Sequence, residues 1–273
     1  MKHSILGLTA TCVIVGSSQA SVLVDNFESY GSIGSDMNGQ GSWTVTNGSP
    51  ANPSEGPVVI VDAGITGAKS ATIGGVQPTS NALTNLYNNS FNVPLVSLTA
   101  QPTFFLVDTA YLESAGGSSR NNFSFVLGST AGNILTINFA PDGAANYIGN
   151  WSVFGGDSGA FTINQATPTQ LRLNTYASGL DVGYSFYTGS NVGTYSTVGD
   201  AFLGSGTLGA ALPTDALNSF EVNWFSASGG GVFNPLGSSN SFTIDNINVV
   251  PEPASAMLGL LGASFVFLRR RRA

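Results

Sequence analysis

The chain has 273 residues, of which only 8% are charged, and a formal net charge of −7 at pH 7. Its one cysteine, Cys12, and its one histidine, His3, both lie within the segment 1–20. If that segment is removed, no internal disulfide, thiol nucleophile, Cys/His zinc site or histidine general base can form. Residues 21–249 carry three basic and fourteen acidic side chains, an excess that disfavours nucleic acid as a partner.

The segment 1–20 has the pattern of a secretory signal peptide. Lys2 gives a charged start, residues 5–15 are apolar, and Ser18-Gln19-Ala20 is a small-x-small cleavage site, the arrangement typical of export signals. We expect cleavage after Ala20 and export across the inner membrane. The remaining sequence then divides into a body, residues 21–249, and a tail, residues 250–273.

The body has the patterning of an all-β domain. Its length fits one large domain, and apolar residues alternate with polar ones in short runs separated by Gly-rich turns, which predicts strands with one buried face. Roughly a dozen such strands predict an antiparallel two-sheet sandwich of jelly-roll type. The clearest runs are Phe123-x-Phe125-x-Leu127, Leu135-x-Ile137-x-Phe139, Leu171-x-Leu173, Val182-x-Tyr184-x-Phe186 and Phe220-x-Val222-x-Trp224.

The first and last strands of the body share an Asp-Asn pair, Asp25-Asn26 and Asp245-Asn246. In each strand the apolar phase changes across the pair, which predicts a β-bulge. Terminal strands commonly pair in jelly rolls, so we expect both pairs to approach one edge of a sheet.

The opening VDNFESY, followed by Gly41-Ser42-Trp43-Thr44-Val45, resembles the start of concanavalin A-like (laminin G-like) domains. The resemblance is confined to the two ends of the body, and such sandwiches often hold a structural Ca²⁺ beside the terminal strands. Ca²⁺ takes six to eight oxygen ligands. Asp25, Glu28 and Asp245 are the candidate ligands, because their carboxylates and nearby carbonyl groups could supply several of these oxygens. Two interpretations remain open: a calcium site, or Asp side chains that only satisfy backbone donors at the bulges. The sequence requires no other cofactor.

Aromatic residues suggest a second kind of site. Tyr and Trp rings can stack on the apolar faces of sugars while their polar groups stay hydrated. Trp151 and Tyr187 are the candidate glycan contacts, with core packing as the alternative for each.

The tail, residues 250–273, contains Pro-Glu-Pro, an uncharged apolar run over residues 254–268, and four arginines. As a helix the apolar run spans about 22 Å, short of the roughly 30 Å hydrocarbon core of a bilayer, and the arginines favour a cytoplasmic end. This tail resembles the PEP-CTERM sorting signal, which Gram-negative bacteria present to a membrane-embedded exosortase. The sorting residues that the resemblance implies are Pro251, Glu252, Pro253, Arg269, Arg270, Arg271 and Arg272.

These features predict a surface or extracellular-matrix protein of a Gram-negative bacterium, in contact with the inner membrane only transiently. We expect a non-catalytic sandwich that supports adhesion or polysaccharide binding, because the E-x-D-x-E spacing of laminarinase-like glycosidases is missing. Two alternatives remain open. One is a hydrolase of extracellular polysaccharide that uses carboxylates from different strands, and the other is a structural biofilm component with no specific ligand.

Overall fold

The computed structural model describes residues 23–46, 58–74, 82–96, 102–112, 122–141, 146–164, 167–193, 199–209, 211–226 and 241–251. These residues form sixteen β-strands and no helix. The strands are β1 (Leu23–Asp25), β2 (Trp43–Thr46), β3 (Val58–Ala63), β4 (Lys69–Gly74), β5 (Ala82–Asn88), β6 (Val93–Pro94), β7 (Thr103–Leu112), β8 (Asn122–Ser129), β9 (Gly132–Pro141), β10 (Asn146–Val153), β11 (Ser158–Asn164), β12 (Thr169–Ser178), β13 (Asp181–Gly189), β14 (Ala201–Thr207), β15 (Ala216–Ser226) and β16 (Ser241–Pro251).

The strands form two antiparallel sheets of eight strands each. The first sheet has the order β14-β13-β12-β7-β16-β4-β3, with β1 also paired to β16. The second has the order β11-β10-β9-β8-β15-β5-β2, with β6 also paired to β15. Many neighbours in the sheets are distant in sequence, as in a jelly-roll sandwich. The predicted fold class is therefore confirmed for the described residues.

Aromatic side chains fill much of the space between the sheets. Phe123 of β8 meets Phe242 of β16 with ring centroids 4.0 Å apart, and Tyr111 of β7 meets Tyr147 of β10 at the same separation. All four side chains are buried. The five alternating runs that predicted strands lie on β8, β9, β12, β13 and β15, and their apolar members belong to this core. Period-two alternation thus identified the buried face of each of these strands correctly.

The terminal strands pair as predicted, but the two Asp-Asn pairs differ. β1 pairs with β16 through Leu23 opposite Val249, and the β16 register shifts beyond Asp245, where Asn246 has a φ of 46°. That is the predicted bulge. The expectation of a second bulge at Asp25-Asn26 is wrong, because β1 ends at Asp25 and the chain turns at Phe27, whose φ is 59°. β16 also lies inside its sheet, between β7 and β4, and not at an edge.

Candidate functional site

β1 and β4 lie end to end along the same side of β16. β4 pairs with residues 241–244 of β16, and β1 pairs with residues 247–249. The bulge at Asp245-Asn246 therefore falls in the gap between the two shorter strands. The chain after β1 and the turn between β3 and β4 meet at this gap, and each of the three carboxylates that the sequence singled out accepts hydrogen bonds in this region.

Asp25 organises the turn that follows β1. Its Oδ1 accepts a hydrogen bond from the Phe27 amide at 2.8 Å, and its Oδ2 accepts from the Tyr30 hydroxyl and from Trp43 Nε1, the latter at 2.6 Å. Burial, followed by the hydrogen bond to Asp25, raises the pKa of Tyr30 far above its ordinary value. The carboxylate therefore links the N-terminal strand to a fully buried tryptophan of the opposite sheet.

Glu28 and Asp245 hold the β3–β4 turn from two sides. Glu28 Oε1 accepts from the amides of Ala68 and Lys69 at 2.6 and 3.0 Å. Asp245 Oδ2 accepts from the amides of Ile65 and Thr66 at 2.9 and 3.3 Å. Both carboxylates thus satisfy backbone donors that a tight turn leaves without strand partners.

Asp245 also lies beside a second buried carboxylate, because it is the register partner of Asp108 on β7. Asp108 accepts hydrogen bonds from Gln170 Nε2 at 2.9 Å, from the Gly193 amide at 2.5 Å and from Asn246 Nδ2 at 2.9 Å. Burial is the main cause that raises the pKa of Asp108 and of Asp245 above the usual carboxyl range, and the hydrogen bonds partly oppose it. At the bulge, uncharged N–H donors therefore surround the carboxyl groups of Asp108 and Asp245.

Calcium binding by Asp25, Glu28 and Asp245 stays a prediction. Within the described ranges, no three His, Cys, Asp or Glu side chains come close enough to hold a metal ion. Asp25, Glu28 and Asp245 each already accept from N–H groups. We expect the melting temperature to be the same in EDTA and in millimolar Ca²⁺. A rise on the order of 5 °C in Ca²⁺ that is lost in the Asp25→Asn, Asp245→Asn double variant would instead establish the ion site.

The two raised pKa values predict an unusual pH dependence. An unfolded aspartate titrates near pH 3.9, whereas folded Asp108 and Asp245 hold their protons to higher pH. The folded state then binds more protons, so the contribution of these groups to the free energy of unfolding falls as pH rises through that window. We expect the stability difference between wild type and Asp108→Asn to change between pH 4 and pH 7, measured by urea unfolding. Parallel stability curves would contradict the assignment.

The structure places the two candidate glycan contacts differently. Trp151 is 4% exposed and packs in the core against Phe186, with ring centroids 5.5 Å apart. A Cβ on Gly204 would lie 2.8 Å from this indole, so glycine lets β14 approach it. Trp151 is therefore corrected from a surface contact to a core residue. Tyr187 is half-buried on β13, with its ring 5.4 Å from that of the exposed Phe202, and its contact with a glycan remains a prediction.

The outer face of the second sheet carries a polar feature that the sequence did not reveal. The strand register places Asn150 opposite Asn138, Asn138 opposite Ser124, Ser124 opposite Asn223, and Asn223 opposite Asn85. These five residues, here called the polar row, cross five neighbouring strands on one face. Their sequence neighbours point into the core, so the row itself points outward.

A depression of about 340 Å³ lies at one end of the polar row. It is lined by Asn122, Phe123, Ser124, Asn138, Phe139, Ala140 and Asn150. Its three asparagines, Asn122, Asn138 and Asn150, are exposed and come from three adjacent strands. At the other end of the row, Asn85 Oδ1 is buried and accepts no hydrogen bond from any described residue. The exposed asparagines of the depression thus offer amide donors and acceptors that the described fold leaves available.

A half-buried acidic group lies beside the polar row. Glu221 is two residues from Asn223 on β15, and the register places it opposite Tyr87 of β5. Directly opposed side chains of an antiparallel pair have Cβ atoms about 5 Å apart. Burial raises the pKa of Glu221, and its hydrogen bond with Asn223 opposes that change. The outer face therefore combines carboxamides with a carboxyl group that keeps its proton more readily than usual.

Most of the predicted sorting signal lies outside the described residues. Pro251 ends β16 opposite Thr103, two residues past the predicted boundary at residue 249. The predicted signal peptide, the apolar tail and the four arginines are not described. Among the residues that are, no helix is long and apolar enough to cross a membrane.

Fold and site together define an all-β sandwich of jelly-roll type with a polar outer face on its second sheet. No family model and no curated protein matches the sequence. Similar solved structures include a carbohydrate esterase of Shiga toxin-encoding bacteriophage phi24B, with 14% identity over 84% of this chain and 100% of that chain, and a TM-score of 0.47. Another is an endo-1,3-β-glucanase from Streptomyces sioyaensis, with 15% identity over 84% of this chain and 95% of that chain, and a TM-score of 0.46. The CBM2 module of the evolved Dit protein of Lactobacillus casei BL23 phage J-1 has 11% identity over 78% of this chain and 93% of that chain, and a TM-score of 0.41.

Similarity at 11–15% sequence identity concerns the fold alone. It nevertheless corrects one expectation. The sequence led us to expect a non-catalytic body, yet two of these similar structures are enzymes named for carbohydrate chemistry. A sandwich of this shape therefore gives no ground for excluding catalysis. A fold does not determine a function, so function has to be argued from the residues of this chain.

Proposed function

We propose that the chain is an exported protein, sorted by an exosortase to the cell surface or extracellular matrix of a Gram-negative bacterium, which binds extracellular polysaccharide. The polar row and its depression are the observation on which the binding proposal rests. Asparagine is disfavoured in strands, yet it occupies four of the five positions of the row. Departures from local preference that recur at one place favour a functional explanation.

The chemistry of the polar row suits sugar hydroxyls. Each carboxamide offers two N–H donors and an oxygen acceptor, and a sugar hydroxyl both donates and accepts. The depression, at about 340 Å³, lies at the lower end of the range for small-ligand sites. These properties support recognition of a few sugar units of a longer chain.

Sorting rests on the two ends of the sequence and has its own test. We expect Glu252→Ala, and separately the deletion of residues 269–272, to leave unprocessed precursor at the inner membrane of a host that has an exosortase. The reason is that the extended Pro-Glu-Pro peptide and the cytoplasmic arginines would present the cleavage site. Precursor and product are separated by electrophoresis of membrane and surface fractions. Normal surface delivery of both variants would refute the sorting proposal.

The binding proposal is tested with a panel of immobilised polysaccharides. The purified full-length chain is passed over each one, and both retention and release of reducing ends are measured. Retention of wild type on at least one polysaccharide, weakened by Asn138→Ala, supports binding at the polar row. If no polysaccharide retains the chain, the proposal fails and a structural biofilm role becomes the better explanation.

Glu221 favours a second candidate function, hydrolysis of the bound polysaccharide. A carboxyl group with a raised pKa can donate its proton to the glycosidic oxygen as the C–O bond breaks. Water then adds to the anomeric carbon and returns a proton to the Glu221 carboxylate, so the reaction consumes one water per bond. Sustained release of reducing ends that is lost in Glu221→Gln and kept in Tyr87→Phe, with retention unchanged in both, would establish this function.

A further inference from the structure

We infer that the ligand is a neutral, extended glycan that crosses the strands of the second sheet along the polar row. This inference rests on the proposed function and adds the class and orientation of the ligand. It starts from the direction of the row, because register partners lie along the hydrogen-bonding direction, perpendicular to the strands. A linear ligand that uses the row must therefore run across β10, β9, β8, β15 and β5.

The spacing of the row fits a repeating polymer. Neighbouring strands lie about 4.8 Å apart, so the five positions span about 19 Å. One inter-strand spacing is close to the length that one sugar ring adds to an extended glycan. Asn150 and Asn138, on adjacent strands, can then each present one carboxamide to one sugar unit, and the half-buried Asn223 continues the track beyond the buried Ser124. The exposed asparagines of the depression form the most accessible part of this track.

The charge of the face selects against acidic polymers. The polar row carries no ionisable group, and the adjacent row of Thr136, Val126, Glu221 and Tyr87 carries one carboxyl and no cation. Residues 21–249 as a whole have eleven more acidic than basic side chains. Uronate or sulfated chains would find no cationic side chain in these two described rows, whereas neutral sugars bring no charge that has to be desolvated.

Packing within the row shows that the asparagines do not simply form a closed ladder. Asn223 Nδ2 donates to Ser124 Oγ at a long 3.4 Å, and Asn85 Oδ1 remains without a donor among the described residues. A structural ladder would use its amides on neighbouring strands. The exposed amides of Asn138 and Asn150 instead leave capacity for an external ligand.

The test uses the full-length chain and linear gluco-oligosaccharides of two to seven units, by calorimetry. We expect affinity to rise about tenfold from the disaccharide to the pentasaccharide, equivalent to about 1.4 kcal/mol, and then to level off. The double variant Asn138→Ala, Asn150→Ala should lose about tenfold in affinity for the pentasaccharide. Asn133→Ala is the matched control, since Asn133 is exposed on the same strand as Asn138 but outside the row. Both variants should keep the wild-type melting temperature.

Oligouronates of the same lengths provide the opposing arm. Weaker binding of uronates than of neutral oligomers supports the inference. Equal or tighter uronate binding, an affinity that does not change with length, or equal effects of the double variant and the control would overturn it while leaving polysaccharide binding intact. Failure of every oligosaccharide and polysaccharide to bind would overturn the proposed function as well.

Discussion

Replacing Phe123 with alanine is expected to lower the free energy of unfolding by about 4 kcal/mol. Phe123 is 1% exposed and lies against rings from both sheets: its centroid is 4.0 Å from that of Phe242, 4.4 Å from that of Phe139 and 5.8 Å from that of Trp224. Removing the ring would leave a cavity that a β-sandwich core cannot close, because interiors are closely packed. Denaturant unfolding of the purified variant gives the measurement.

Phe202→Ala is the matched control for this prediction. Phe202 is 58% exposed on β14, so the same truncation removes little buried area, and we expect a change of about 0.5 kcal/mol or less. If the two substitutions have equal effects, the aromatic cluster is not the centre of the stability of the sandwich.

Asp25→Ala is expected to lower the free energy of unfolding by about 3 kcal/mol, because each buried donor left without a partner costs about 1–3 kcal/mol. The substitution removes the acceptor for the Phe27 amide, the Tyr30 hydroxyl and Trp43 Nε1. Trp43 is fully buried, so its N–H would be left without a partner. Urea unfolding monitored by tryptophan fluorescence measures the effect.

Asp181→Ala is the control for Asp25. Asp181 is exposed at the start of β13, and we expect its removal to change stability by less than about 0.5 kcal/mol. A comparable loss in both variants would show that net charge, and not the hydrogen bonds of Asp25, determines the effect.

The sequence identified what depends on local pattern. Alternation in runs such as Phe123-x-Phe125-x-Leu127 identified strands and their buried faces, since successive side chains of a strand point to opposite sides. The phase change at Asp245-Asn246 likewise identified a bulge. The same pattern failed at Asp25-Asn26, because a strand that ends and a strand that bulges both break the alternation, and only long-range pairing distinguishes them.

What the sequence could not provide was register. Asn85, Asn138, Asn150 and Asn223 each occupy a position on the polar side of their own strand, and they come from four different strands. They become one row only when five strands align. Trp151 was misplaced for a related reason: its glycine partner Gly204 lies on a strand that alternation did not identify, so its burial could not be inferred.

The position of β16 has a consequence for the order in which the domain can fold. β16, residues 241–251, lies inside the first sheet and pairs with β7, β4 and β1. β7 and β4 therefore lack their shared neighbour until the chain has been made through residue 251. Before that point their facing edges are unpaired, a state that attracts other chains. A truncation before residue 241 would leave a chain that cannot close its first sheet.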